Sequence, residues 1–234
     1  MRTKSITAIA GLVCLLVGAT ASACSGSDTT DRPTAQQLLD DANDTMNGLK
    51  SVTVEAHTTR VKSKGGDISS RLTTDLDSRC TSKVTWEANG AVLEQIRMGD
   101  TDYVRPNRAY IEEWSGKRMH AAQNTWIKTA ASNAKPGDGL SDCSRDFTSF
   151  GTAKKGEPTV VDETPAIRLV VTDEEDKDSS VAFYVAGVGK PYILKVVYKD
   201  ADYNTTTTYS AFDKPLDVKA PAETDVIDSA LIDR

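Results

Sequence analysis

From Val52 onward the chain falls again and again into short runs in which apolar and polar residues alternate, and the runs are separated by tight turns. Val52, Val54 and Ala56 alternate with Thr53, Glu55 and His57, a strand with one wet face. Gly65-Gly66 turns the chain, and residues 68–77 return with Ile68, Leu72 and Leu76 among Ser, Thr and Asp. Residues 83–87 form another strand, Asn89-Gly90 is the strongest hairpin signal, and residues 92–98 run back. Gly99-Asp100 turns once more into residues 102–105. After Gly156 the pattern resumes over 158–163, 166–172, 180–186, 192–199 and 205–212, with turns at 173–178 and 187–190. Turns this short cannot carry a parallel crossover, so the strands form antiparallel meanders. The fold class is α+β, mostly antiparallel β.

Two places depart from the period of two. Thr34 and Gln37 have the spacing of a capping box, and Leu38, Leu39, Ala42, Met46 and Leu49 then recur at helical spacing as one apolar stripe. Gly48 ends that helix. Residues 107–139 carry Tyr110, Trp114 and Trp126 among small and polar residues and have no clear period; Pro136 to Gly139 is a loop. Beyond it, Ser141 reads as the N-cap of a short helix carrying Cys143, Phe147 and Phe150.

The first residues are not part of this domain. Arg2 and Lys4 precede an apolar run over 6–19, too short to span a bilayer, followed by Ala21-Ser22-Ala23-Cys24. This resembles a bacterial lipobox, with Ala21 where Leu is commonest. By that resemblance residues 1–23 are a lipoprotein signal peptide, and Cys24 becomes a lipidated N-terminus with more than one acyl chain for stable attachment. A plain signal peptide with an incidental cysteine is the alternative. Residues 24–33 are polar and unpatterned, a flexible tether, and 34–234 make one β-rich domain. The location this implies is the outer face of the cell membrane, in an extracytoplasmic compartment. In such a compartment the two remaining cysteines, Cys80 and Cys143, suggest one disulfide. A loop of that length contributes about 4 kcal/mol in the chain-entropy model. A metal or redox pair is the rival, but neither CxxC spacing nor a neighbouring His accompanies them.

The net charge of -6 comes without a Lys/Arg cluster, which argues against nucleic acid as a partner. Signatures of hydrolases, nucleotide-binding loops and zinc peptidases are missing, and His57 and His120 are the only histidines. Residues 173–178 are acidic but lack the Gly and closing Glu of a calcium loop, so they read as a solvated hairpin tip. No metal, cofactor or catalytic residue is expected, and the chain reads as a non-enzyme. Trp114 and Trp126 either line a binding mouth or belong to the core.

Several stretches together resemble one family. Gly48-Leu49-Lys50-Ser51 leads into the first strand, and Gly99-Asp100-Thr101-Asp102-Tyr103-Val104 follows. Gly156-Glu157-Pro158-Thr159-Val160-Val161 precedes Ala166-Ile167-Arg168-Leu169. Tyr184-Val185, the run from Gly189 to Val196, the run from Tyr209 to Pro215, and Val218-Lys219-Ala220-Pro221 complete the set. With the lipobox, tether and first helix, these resemble the actinobacterial LppX/LprAFG-type lipoproteins and their LolA/LolB-like fold. The resemblance implies a curved half-barrel sheet with helices on its concave side, a membrane partner through the anchor, and an acylated lipid ligand in the hollow. The stripe Leu38, Leu39, Ala42, Met46 and Leu49 is the candidate lid; Leu169, Val171, Phe183, Val185, Leu194, Val196 and Tyr198 are candidate lining. An ordinary filled core is the competing reading for all of them, and an envelope scaffold with a protein or polysaccharide partner is the competing function. The Cys80/Cys143 pair is not part of the family's common pattern and would staple the helix at Ser141 to the sheet.

Overall fold

The computed structural model describes residues 33–61, 66–115, 123–135, 137–172 and 178–231. Cys24, the signal segment, the tether up to residue 32, Gly65, His120 and residues 173–177 lie outside the described residues.

Helix α1 spans Ala35–Asn47. The Thr34 hydroxyl accepts from the Gln37 N–H at 3.1 Å, and the Gln37 side chain accepts from the Thr34 N–H at 2.8 Å, so the capping box forms as expected. Leu39, Ala42 and Met46 are fully buried and Leu49 is buried beyond the helix end. Among the described residues α1 is the longest helix, the next being a two-turn helical stretch at residues 108–115.

Twelve strands make one curled, unclosed sheet. The first meander comprises β1 (Val52–Arg60), β2 (Ile68–Thr74), β3 (Arg79–Trp86), β4 (Ala91–Met98), β5 (Thr101–Pro106) and β6 (Trp126–Ala130). The second comprises β7 (Thr152–Val161), β8 (Thr164–Thr172), β9 (Ser180–Ala186), β10 (Ile193–Lys199) and β11 (Tyr203–Ser210). Within each meander, neighbours in sequence are neighbours in the sheet and run antiparallel. The two meanders join where β1 pairs antiparallel with β11. A last short strand, β12 (Val226–Asp228), pairs parallel with β6 at the edge. The expected architecture is met, and β6 fills part of the middle that has no clear period in the sequence.

The strand ends form two rims. Arg60 faces Tyr203, Ile68 faces both Thr58 and Trp86, and Thr152 faces Thr172, so these residues share the upper rim. Cys80 faces Thr74, Met98 faces Arg79 and Thr101, and Val161 faces Thr164 on the lower rim. Pro33 belongs to the upper rim: its carbonyl accepts from Lys155, and Gln36 accepts from the N–H of Ala153, both early in β7. The domain's link to the preceding residues therefore leaves from that end.

One face of the sheet is covered. α1 lies over β7, β9 and β10. Over the first meander the cover is a short helical stretch at residues 108–115, which buries Ile111 beside β4, and then an extended segment. The helix expected at Ser141 does not form; residues 138–150 make an extended strap. The Ser141 N–H donates to Gln95 Oε1 at 2.8 Å, and the Cys143 carbonyl accepts from the Thr74 hydroxyl at 2.5 Å. Leu76 and Ser144 form an isolated bridge. Bonds to the sheet thus satisfy the backbone groups that a helix would have paired internally. The strap runs from Asp138 near the upper rim down to Cys143, then back along α1 to Phe150. At its lowest point Cys143 is joined to Cys80 on β3, so the expected disulfide staples a strap rather than a helix.

Candidate functional site

The hydrophobic core lies between α1, the strap and the sheet. From the candidate lining, Leu169, Val171, Phe183 and Val185 are buried in it, and Val196 packs against it. Leu194 does not join it. A bulge between Ile193 and Lys195 shifts the register against β9, and Ile193 takes the buried place opposite Val185. Tyr198 is half-buried and donates its hydroxyl proton to Asp200 at 2.8 Å. From the stripe, Leu38 packs at the margin while Leu39, Ala42, Met46 and Leu49 are inside.

Space remains at the upper end of this interior. A hollow of about 290 Å³ is bounded by the strap end at Thr148, Ser149 and Phe150 and by Val171, Val181 and Phe183 of the sheet. Phe150 is 78% exposed at its mouth. Its neighbour Gly151 has a φ of +87°, and a Cβ there would stand 2.4 Å from the Thr172 carbonyl oxygen. Only glycine lets the strap pass into β7 so close to β8. The inner side of the hollow is fixed to α1. The Asn43 side chain donates to the Ser149 hydroxyl at 2.9 Å, and Asn47 exchanges two 2.8 Å hydrogen bonds with the backbone of Phe147. Two of the expected lining residues, Val171 and Phe183, meet here. Val181 and Phe150 were not among the expected residues, although Val181 alternates with Phe183 on β9 and so carries the same signal.

Under the strap the covered face buries polar groups among apolar Val84, Leu93 and Ile127. Gln95 and Asp102 are buried, and Arg97 is nearly so. Arg97 donates to both oxygens of Asp102 at 2.7 and 2.8 Å, Gln95 donates to Asp102 at 2.9 Å, and the Ser82 hydroxyl donates to Gln95 at 3.0 Å. The hydrogen bond to Asp102 raises the Arg97 pKa above its ordinary value, against the opposing effect of burial. At the upper rim Trp86, Tyr110 and Trp114 pack with ring centroids 4.6 to 5.7 Å apart. Tyr110 donates to the Asp138 carbonyl at 2.7 Å, and burial, assisted by the Asp138 charge, pushes its pKa up to about 12.

The opposite face holds an open trough over β11, β1, β2 and β3, of about 400 Å³, lined by the side chains of Glu55, His57, Ser69, Arg71 and Lys83 with threonines between them. It continues toward Glu94, Arg105 and Trp126. Trp126 therefore belongs to this open face, with the Arg105 guanidinium 4.6 Å over its ring. His57 sits 3.3 Å from Asp67 and 3.2 Å from the Ser69 hydroxyl. The Ser69 proton points instead at Glu87, 2.6 Å away. The β2 backbone is paired on both sides, to β1 and β3, which leaves no free N–H groups beside Ser69 to stabilise an oxyanion. No group of three or more metal-ligating side chains occurs among the described residues. No helix among them is long and apolar enough to cross a membrane.

No protein-family model matches the chain. No curated protein matches it either. Solved structures do. The crystal structure of LprF from Mycobacterium bovis matches with a TM-score of 0.56 at 13% identity, over 80% of this chain and 97% of that one. The lipoprotein LppX from Mycobacterium tuberculosis matches with a TM-score of 0.48 at 15% identity, over 78% of this chain and 98% of that one.

Proposed function

Given that the chain shares the LprF fold, we propose that it is a lipid-anchored envelope protein, without enzymatic activity, that binds an apolar acyl-type ligand at the upper end of its covered face. Residues 1–23 serve as a removable signal, Cys24 carries the lipid, and residues 24–33 tether the domain to the outer face of the membrane.

The observation that carries the ligand reading is the hollow between Phe150 and Val171, Val181 and Phe183. Its walls are mainly apolar, it opens to solvent beside an exposed phenylalanine, and it lies on the face where α1 and the strap meet. At about 290 Å³ it stands at the lower end of the roughly 300–1,000 Å³ common for ligand pockets. It suits the end of one acyl chain rather than a whole multi-chain lipid. Below it, Leu39, Met46, Leu169 and Val185 leave no exposed surface, so a deeper ligand would require α1 or the strap to move.

Native mass spectrometry of the protein purified from its own envelope, together with displacement of a fluorescent fatty acid, tests this. A bound apolar species in the wild type and its loss in Val181→Trp, which fills the hollow, are the expected results. Wild type that neither retains lipid nor binds the probe would refute the ligand reading.

The filled interior beneath α1 favours a second reading, an envelope scaffold whose partner docks on the open-face trough. In that case Val181→Trp leaves function intact, while Arg71→Glu or Arg105→Glu abolishes partner capture in the intact envelope.

A further inference from the structure

The exposed large apolar side chains are not spread evenly. Of the six among the described residues, Val61, Trp114, Phe150 and Tyr203, which include all the aromatic ones, belong to the upper rim, and Val160 and Val188 to the lower. Val61 follows the end of β1 and donates its N–H to Asp202, next to Tyr203 at the start of β11. Trp114 packs against Trp86 at the end of β3, and Phe150 stands just before Gly151, against the end of β8. Pro33, where the domain joins the residues before it, is on the same rim.

We propose that this upper rim is the surface on which the domain rests against the lipid bilayer, with Trp114 and Phe150 entering the interfacial layer. The proposal takes from the reading above that Cys24 is lipidated; its third observation also uses the hollow's apolar ligand, and the first two stand without it. Three observations select a bilayer as the occupant. First, nine residue steps from Cys24 to Pro33 span at most about 30 Å when fully extended. The strands add about 25 Å between the rims. A tether of that length keeps the whole domain beside the membrane, with its attachment on the upper rim; it brings a bilayer within reach and leaves the orientation to the rim's own side chains. Second, the rim offers the amphipathic aromatic set that favours a membrane–water interface: Trp114 and Tyr203 exposed, with Trp86 and Tyr110 behind them. Third, the hollow opens on this rim beside Phe150, so an acyl chain could pass between bilayer and hollow without crossing bulk water.

Charge does not supply the attraction. The strand links that start at this rim carry both signs in sequence, Lys62, Lys64, Lys117 and Arg118 against the acidic Asp173 to Asp178, and so favour no one headgroup charge. Apolar insertion is the contact, and it is weak without the anchor: the lipid holds the protein in the membrane and the rim sets its orientation.

The test uses the mature chain from residue 24 with Cys24→Ser, which cannot be lipidated, in flotation with phosphatidylcholine vesicles and with phosphatidylcholine–phosphatidylglycerol vesicles. Measurable partitioning onto both is expected. Trp114→Ser with Phe150→Ser should lower the partition coefficient about tenfold or more, as the loss of two inserted aromatic side chains implies. Val160→Ser with Val188→Ser is the control: both residues are 62% exposed, but they lie at the lower rim. That variant should bind within about twofold of the parent. Absence of binding by the parent, equal loss in the two variants, or binding confined to anionic vesicles at low salt would each overturn the proposal. The anchor is judged separately, from the mass of the mature wild-type N-terminus, so failure of one reading does not stand in for failure of the other.

Discussion

The two halves of the sheet are covered by different devices. Over the second meander lies α1, a capped helix whose apolar stripe meets Leu169, Val185 and Ile193 in a dry interface. Over the first meander lies the strap, an extended segment that brings few apolar side chains of its own. It is held by a disulfide, by hydrogen bonds to buried Gln95 and Thr74, and by an aromatic cluster at one end. A helix satisfies its own backbone and needs from its neighbours only a surface on which to bury a stripe. An extended segment must find a partner for each buried backbone group, so the sheet beneath it carries polar side chains. Gln95 and Thr74 are buried on the covered face and meet that need, Gln95 held in turn by Ser82 and Asp102 beside apolar Val84, Leu93 and Ile127, where the other half has Leu169, Phe183 and Val185.

If this contrast is right, the strap half depends on specific bonds and the helix half on volume. The largest effect is expected at Asp102. Asp102→Ala leaves the nearly buried Arg97 without its carboxylate, and removing one partner of such a pair costs about 4 kcal/mol. Denaturant unfolding would measure it; a loss under about 1 kcal/mol would mean the polar cluster is not what supports the strap. Next is the disulfide. Cys80 and Cys143 are separated by 63 residues, and replacing both with Ser should cost at most the chain-entropy value of about 4 kcal/mol. Limited proteolysis should then cut within residues 138–150 before it cuts α1. Equal cleavage of both would show that the halves open together.

Val185→Ala probes the other half. It removes two methyl groups from a fully buried site, at a cost of about 2 kcal/mol. The helix half should tolerate the volume-conserving Met46→Leu far better than the strap half tolerates Asp102→Asn, although both changes are small. A melting-temperature comparison of the two conservative variants decides it, and the reverse order would break the contrast.

How much of this could be read in advance follows the same line. The helix half was legible because its determinants are local: Thr34 and Gln37 at capping spacing, a stripe at helical period, and alternation in residues 166–172 and 180–186. Most strands and the Asn89-Gly90 turn were legible for the same reason. The strap was not. Ser141 carries the local mark of a helix cap, but Gln95, 46 residues away in sequence, takes its N–H. Leu194 was misplaced because alternation assumes an unbroken ladder, and the bulge at Ile193 breaks it. Strand β6 was hidden because its pairing to β5 and β12 is what makes residues 126–130 a strand. The hollow depends on where Phe150 ends up after the strap has doubled back, which no local pattern records.

The smallest expected effect tests whether the two covers act independently. α1 has no acidic residue in its first turn and no basic residue in its last, so the Thr34 capping box is its main terminal stabilisation. Thr34→Ala should cost about 1 kcal/mol. The loss should be local, because the first turn of α1 sits at the margin of the interior, with Leu38 only partly buried. Hydrogen exchange should therefore quicken at the amides of Leu38 and Leu39, which follow the cap, while the Ser141 and Phe147 amides, bonded to Gln95 and Asn47, keep their protection. Phe147 is the sensitive reporter, since its partner lies at the far end of the same helix. If its exchange quickens as much as that of Leu38, α1 moves as one rigid piece with the strap and the hollow opens only when both covers lift. If it does not, the start of α1 frays without disturbing the strap, and the two covers act independently.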